Sequence, residues 1–395
     1  MSIGTRLRQY RTARGYTLDE LVERMGGLVT KQALSKYEHD RAMPRPTVLL
    51  ALARALDIKA SRLIAEPEYH FQLVAYRALA SLPKKERETI ENTVQLELER
   101  RLTLTDKLGI ACSFPFGTTE VPISDVSAAE YAAGELRCAW NLGGGPISNV
   151  VDTLESRGVH LIDIDTERKF DGLAIIATDE HGERVACGIA ARREVSRARQ
   201  RMSHAHELGH LCMQVADGVD DEAAARLFAG AFLYPADAVR AEFGARRNRI
   251  TADELLVAKR RWGMSIQGVL YRLRDLEVID ETSYKWWCMF INRAGWRTDE
   301  PGDEPRECST WAETHAHRAA AEGLIARESL AEYIPASSNR TAPEDIDRRA
   351  LLKLPLAERR AYMKAQAEAH AAEYNAMIDR AWLDADMGEW DHEHE

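Results

Sequence analysis

The sequence predicts a mainly α protein with one small β-sheet, an α+β chain built from several domains. Three observations predict this. Apolar residues recur at helical spacing through most of the 395 residues, whereas β-branched runs bounded by charged turns cluster between Gly158 and Ala190. A chain of this length also exceeds what one ordinary core holds. With 45% hydrophobic and 29% charged residues, the composition is that of a globular protein. No apolar run reaches the length of a membrane span, and Met1 to Arg14 lacks a signal-peptide core, so a cytoplasmic chain without membrane contact is expected. Six cysteines (Cys112, Cys138, Cys187, Cys212, Cys288 and Cys308) include no C-x-x-C pair, which argues against a disulfide framework and a cysteine-built zinc knuckle. The net charge of −10 is unevenly spread: Met1 to Ala65 carries 12 Lys and Arg against 6 Asp and Glu, and Pro355 to Glu395 carries 4 against 10. A basic head on an acidic chain points to nucleic acid as the partner of that head.

Residues 1–66 divide into short helices. Gly4 to Arg14 ends at Gly15; Thr17 and Glu20 form a capping-box pattern for Leu18 to Met25; Gly26-Gly27 turns into a polar helix through Glu38; and Val48 to Leu56 closes a small core. A helix, a glycine turn and a second, polar helix make a helix-turn-helix candidate. Thr17-Leu18-Asp19-Glu20-Leu21, Gln32-Ala33-Leu34-Ser35-Lys36-Tyr37-Glu38 and Pro46 to Ala53 resemble the Cro/C1-type (XRE) DNA-binding domain. The resemblance implies that the third helix enters the major groove of double-stranded operator DNA. Thr30, Lys31, Gln32, Ser35 and Lys36 would then lie near base edges or phosphates, and Arg41 and Arg45 near the backbone.

Residues 67–109 read as a linker helix with Ile90, Val94, Leu98 and Leu102 on one stripe. That stripe has two uses: packing on the next domain, or pairing two chains into the homodimer that suits a reader of two half-sites.

In residues 110–280, helices are expected over Asp125 to Trp140 and Ile147 to Ser156. Strands are expected over Gly158 to Asp163, Gly172 to Thr178 and Val185 to Ala190, and a further helix over about Gln200 to Val215. That last helix holds His206-Glu207-Leu208-Gly209-His210. At a spacing of four, two imidazoles share one helix face and can bind one metal ion, with Glu207 in reach as general base. A third ligand is required, and the acidic start of the next helix, Asp220-Asp221-Glu222, offers carboxylates for it. Tyr271 and Arg272, on the second of two later amphipathic helices, are candidates for a substrate cleft. Pro146 to Val151, Phe170-Asp171-Gly172-Leu173, His206 to His210 and Phe228 to Pro235 together resemble the ImmA/IrrE family of zinc metallopeptidases. The resemblance implies one Zn2+ per chain held by His206, His210 and Glu222, with Glu207 catalytic. The chain departs from the family at Arg226, placed to pair with Glu222 one turn away, and at Tyr234 before Pro235.

Residues 281–335 form a Trp-rich segment with helices expected from Trp311 and Glu328, and residues 336–395 an amphipathic helix ending in an acidic tail. Leu351-Leu352-Lys353-Leu354-Pro355-Leu356-Ala357-Glu358-Arg359-Arg360 resembles C-terminal segments of type II antitoxins. Leu351, Leu354, Tyr362, Tyr374, Trp382 and Trp390 are the residues expected to grip a partner; the alternatives are a helix folded back on its own domain and a tail that blocks the basic head. The expected function is a transcriptional regulator with a zinc-peptidase-like domain, acting as antitoxin and autorepressor toward a cognate toxin. The alternative is an active site-specific metallopeptidase that cleaves a repressor, or itself, under stress.

Overall fold

A computed structural model describes residues 2–66, 68–74, 82–110, 114, 121–166, 170–334 and 359. It is mainly helical with a small mixed sheet. Met1–Ile334 forms one compact unit and Pro335–Glu395 a second. The expected partner-binding residues Leu351, Leu354, Tyr362, Tyr374, Trp382 and Trp390 lie outside the described residues.

The head is α1 (Ile3–Ala13), α2 (Leu18–Arg24), α3 (Lys31–Glu38), α4 (Pro46–Ala55) and α5 (Ala60–Ile64). Side-chain caps start the first three helices: Ser2 accepts from Thr5, Thr17 and Glu20 form the expected capping box, and Thr30 accepts from Ala33. Leu7, Leu21, Leu34, Leu52, Leu56 and Leu63 close the core. A Cβ on Gly4 would sit 2.2 Å from the Tyr37 carbonyl, so glycine is what lets α1 cross α3 at that point.

After β1 (His70–Leu73) comes α6 (Lys84–Lys107). Its stripe Ile90, Val94, Leu98 and Leu102 is fully used against Ile162, Ile164, Phe170, Leu173 and Ile175, which is the first of the two uses expected of it. The head is fastened to this helix rather than tethered beside it. Arg6 donates to both oxygens of Glu99 at 2.7 and 2.6 Å, Gln9 bonds Gln95 at 3.2 Å, and Thr93 donates to the Ala13 carbonyl.

Next follow β2 (Val121–Ile123), α7 (Ala128–Ala139), α8 (Val150–Ser156), β3 (Val159–Ile164), β4 (Gly172–Thr178) and β5 (Arg184–Arg192). The sheet order is β1-β4-β5-β3, antiparallel except for the β3–β5 pair. Alternate residues sort to its two faces: Leu173, Ile175 and Ala177 face α6, while Ala174 and Ile176 join the opposite core. Burial on both faces is why these strands read as continuous apolar runs.

The opposite face is covered by α9 (Arg197–Cys212), and α10 (Asp221–Leu233) packs on α9 and α7. The helix expected to run to Val215 stops at Cys212. Met213–Val215 instead forms β6, parallel to β2, because a partner strand from far away in sequence takes up its backbone bonds. The chain continues as α11 (Ala236–Phe243), α12 (Ala252–Trp262), α13 (Ile266–Asp275), α14 (Glu281–Arg293), α15 (Trp311–Ala321) and α16 (Leu330–Tyr333). Trp287 and Ile291 of α14 are buried in the same core as α9 and α10. Among the described residues no helix is long and apolar enough to cross a membrane.

Candidate metal centre

Helix α9 begins at Ser196, whose hydroxyl accepts from the Arg199 amide, and the spacing of four brings His206 and His210 onto one face with their Nε2 atoms 3.2 Å apart. Helix α10 begins at Asp220, whose carboxylate accepts from the Ala223 amide, so Asp221 and Glu222 lie in the first turn. Small residues let the two helices approach: a Cβ on Gly209 would lie 3.0 Å from the Phe228 ring, and Ala205, Ala224, Ala225 and Ala229 are buried in the same core.

That approach sets Glu222 against the imidazoles, with Oε2 at 3.4 Å from His206 Nε2 and Oε1 at 3.8 Å from His210 Nε2. Ligand atoms of the three residues all lie within 4.8 Å of one another. A tetrahedral ion with bonds of about 2.0–2.1 Å separates its ligand atoms by about 3.3–3.4 Å, so the donors fit such an ion with small adjustments. Two imidazoles and one carboxylate are also a donor set that suits zinc. Asp221, not singled out from the sequence, lies 3.3 Å from His210 Nδ1 and orients that ring through the nitrogen facing away from the centre.

Glu207 is 3% exposed and its Oε2 has no hydrogen-bond partner. Room for it is made by Gly172 at the start of β4, where a Cβ would sit 2.9 Å from Glu207 Cγ and Oε1. Burial pushes the Glu207 carboxyl up to about 8, a shift opposed by His210. Burial also lowers His206 to about 4, helped by the charges of His210 and Arg226. For His210, burial works against the charged ring, but the Asp221 hydrogen bond and the Glu207, Asp221 and Glu222 carboxylates outweigh it, so its pKa is raised. A divalent cation among these groups favours the ionised Glu207 and the neutral imidazoles.

The two departures from the family pattern have physical explanations. Among the described residues no ion pair joins Arg226 to Glu222; Arg226 is exposed and Glu222 is turned to the histidines. Tyr234 is fully buried, stacks on Trp262 with centroids 4.1 Å apart and donates to Glu242 Oε2 at 2.6 Å, so it serves packing. Of the two cleft candidates, Tyr271 lines a cavity of about 380 Å³ together with Met202 and Arg226, which stand four residues along α9 and α10 from His206 and Glu222. Arg272 borders the same cavity but is 1% exposed and holds the Tyr234 carbonyl and Glu130, which is a structural task.

In the head, Thr30, Lys31, Gln32, Lys36, Arg41 and Arg45 are exposed and Ser35 is half-buried, so α3 and the turn after it present one open polar face. Lys31 is paired with Asp19 at 2.6 Å; at such exposure the pair is weak enough to open. Leu34 is buried in the head's core and Tyr37 packs against it, while Ala33 is half-buried.

Residues 7–63 match the helix-turn-helix family, and residues 176–274 match the family described as IrrE N-terminal-like domain. No curated protein matches the chain. The second match runs from the end of β4 through α9 and α10 into α13, and therefore includes both helices of the candidate centre.

Proposed function

We propose that this chain, which joins an XRE-type helix-turn-helix domain to an IrrE-like domain of a zinc metallopeptidase family, is a DNA-binding regulator with a competent, zinc-dependent peptidase centre. Competence rests on one observation: Glu207, next to His206 in the chain and within electrostatic reach of His210 and Glu222, is buried with an unpaired carboxyl oxygen in space that Gly172 leaves open. A degenerate site has no physical reason to retain a buried unpaired carboxylate, which costs stability.

In this reading His206, His210 and Glu222 hold one Zn2+, and Asp221 orients His210. When bound, the ion supplies Lewis acidity toward water and toward a peptide carbonyl. Glu207 takes a proton from water at its carboxylate and returns it to the leaving amine, so that one O–H bond breaks as the new C–O bond forms and the C–N bond is cleaved. Arg226 and Tyr271 border the substrate cavity. In the head, Gln32 reads a base edge, Lys31, Lys36, Arg41 and Arg45 contact phosphates, and Thr30 and Ser35 complete the face. Two heads on a homodimer would read two half-sites.

Purified full-length protein should contain one zinc per chain, lost in His206→Ala. Glu207→Gln should retain the zinc and the operator binding but abolish cleavage of a repressor or of the chain itself. Equal cleavage by Glu207→Gln and wild type would refute the catalytic part, and zinc unchanged in His206→Ala would refute the site. A second reading, antitoxin and autorepressor, is supported by the antitoxin-like sequence of residues 351–360. It requires that deletion of residues 351–395 abolish co-purification with a cognate toxin.

A further inference from the structure

Far from the motif in sequence, one carboxylate has all its acceptor positions filled by the helix that carries the motif and its neighbour. Glu307 is 6% exposed and lies in the non-helical stretch before α15. Its Oε2 accepts from the Val150 and Val151 amides at 2.8 and 3.0 Å, the two first-turn donors of α8 that the Asn149 cap leaves open. Its Oε1 accepts from Arg201 Nη1 at 2.6 Å and Arg197 Nε at 3.2 Å. Its backbone is held as well: Gln200 Oε1 accepts from the Glu307 amide at 2.9 Å, and Gln200 Nε2 donates to the Glu307 carbonyl at 2.8 Å. Arg201 completes the knot by donating to the Ile147 carbonyl at 2.7 Å and the Trp262 carbonyl at 3.4 Å. Its guanidinium fits there because Gly263, at φ +63°, has no Cβ to strike it.

Three consecutive polar contacts of α9, through Arg197, Gln200 and Arg201, therefore end on one residue, on the side of the helix where its second half presents apolar groups to the core. Apolar packing resists separation but tolerates small rolls of a helix; hydrogen bonds to a fixed carboxylate and backbone do not. Arg201 precedes His206 by five residues, about 7.5 Å along the axis. A roll of about 20° would move a side-chain tip about 5–6 Å from that axis by about 2 Å, the length of a metal–ligand bond.

We infer that Glu307 is a positioning residue of the metal centre: by clasping Arg197, Gln200 and Arg201 it fixes the roll of α9 and so the aim of His206 and His210 at the ion. Neighbouring charged residues secure the same stretch. Glu300 binds Lys259 at 2.6 Å and the Ile266 amide at 2.8 Å, Asp303 also binds Lys259, Glu304 binds Arg197, and Arg306 binds Asp163 at 2.6 Å. The residues after the family-matched region thus act as a strap over the start of the motif helix. This inference rests on the metal-centre reading above.

The test measures zinc affinity of the full chain by competition with a chromophoric chelator, and the visible absorption spectrum of the Co2+-substituted protein. Wild type, Glu307→Gln and Gln200→Met are compared with Glu99→Gln, which breaks an equally buried ion pair on another helix. All are measured below their own unfolding temperatures. Glu307→Gln should weaken zinc binding about 10–100-fold, the usual effect of losing an outer support, and alter the Co2+ bands. Gln200→Met, which leaves the charges in place, should shift both readouts in the same direction and serves if Glu307→Gln fails to fold. Glu99→Gln should lower the melting temperature and change neither metal readout. Wild-type affinity and spectrum in Gln200→Met and in folded Glu307→Gln would overturn the positioning role alone, as would an equal loss in Glu99→Gln. Wild type that takes up neither ion would overturn the metal-centre reading and this inference with it.

Discussion

Replacing Glu99 by Gln should loosen the DNA-binding head from the rest of the protein at a cost of about 3–5 kcal/mol. Arg6 is 1% exposed, and its guanidinium donates twice to the Glu99 carboxylate and once to Gln9 Oε1 at 3.1 Å, while Nε has no partner. Hydrogen bonds to charged groups contribute about 1.5–3 kcal/mol each; glutamine keeps one acceptor oxygen for Arg6 but sets an NH2 against its other donor, so one bond is lost and the second loses its ionic character, about 2–5 kcal/mol together. The known cost of orphaning one member of a buried ion pair, about 3–5 kcal/mol, agrees. The Arg8–Glu88 contact two residues away supplies an internal comparison. It is 3.9 Å long with side chains 52% and 31% exposed, so Glu88→Gln should cost no more than about 1 kcal/mol. Replacing both partners, Arg6→Met with Glu99→Leu, should recover most of the loss, because the orphaned charge is then gone. Urea unfolding followed by circular dichroism, with limited proteolysis of the 67–82 connection, reads all four proteins. A Glu99→Gln chain within about 1 kcal/mol of wild type, with no added cleavage at the connection, would refute the view that this ion pair fastens the head.

Three further outcomes follow from particular contacts. Gly172→Ala places a Cβ 2.9 Å from Glu207 Cγ and Oε1 and 3.2 Å from the Ala190 carbonyl, so it should destabilise by about 1–3 kcal/mol and displace the base; peptide cleavage should fall sharply while zinc content, measured by metal analysis, stays at the wild-type level. His160 is buried and its pKa is lowered to about 3 by that burial, aided by the charge of Arg101. Between about pH 6.5 and 3 the unfolded chain binds a proton there that the folded chain does not, so this residue's contribution is intact above about 6.5 and falls by about 1.4 kcal/mol per pH unit below it; His160→Gln should flatten the acid limb of a stability–pH curve. At the head, Gln32→Ala should cost about 1–3 kcal/mol for the operator and relax discrimination at one base, whereas Lys36→Ala should weaken all sequences alike and reduce the slope of log K against log salt by about 1, both read by fluorescence anisotropy.

What could be read from the sequence was what lies close along it. The i, i+4 pair His206 and His210, the Thr17–Glu20 capping box and the alternation of β4 are local patterns with one physical meaning each, and the structure shows all three. Glu222 required the resemblance, since nothing local distinguishes it from Asp220 and Asp221; the structure gives the three different tasks, as cap of α10, support of His210 and neighbour of both imidazoles. Helices α11 and α14 were missed because α11 is short and mixed polar and aromatic sequence masks the periodicity of α14, and β6 because its strand state depends on β2, 92 residues earlier in register. The Arg6–Glu99 and Glu307–Val150 contacts span 93 and 157 residues, and an arginine or a glutamate in isolation carries no sign of which distant charge it meets.

Those long-range contacts also bear on why a DNA reader and a peptidase-type site share a chain. Helix α6 holds the head through Glu99 and lies on the sheet through Leu98, which approaches the glycine gap at Gly188 on β5; a Cβ there would be 3.6 Å from the leucine and 3.2 Å from Ile175 of β4. Strand β4 in turn begins at Gly172, against Glu207. Each joint is either close-packed or a charged hydrogen bond, and none is a glycine-rich linker. Packed joints of this kind transmit displacement instead of absorbing it. The head is therefore joined to the sheet by direct packing and hydrogen bonds, with no glycine hinge at these joints among the described residues.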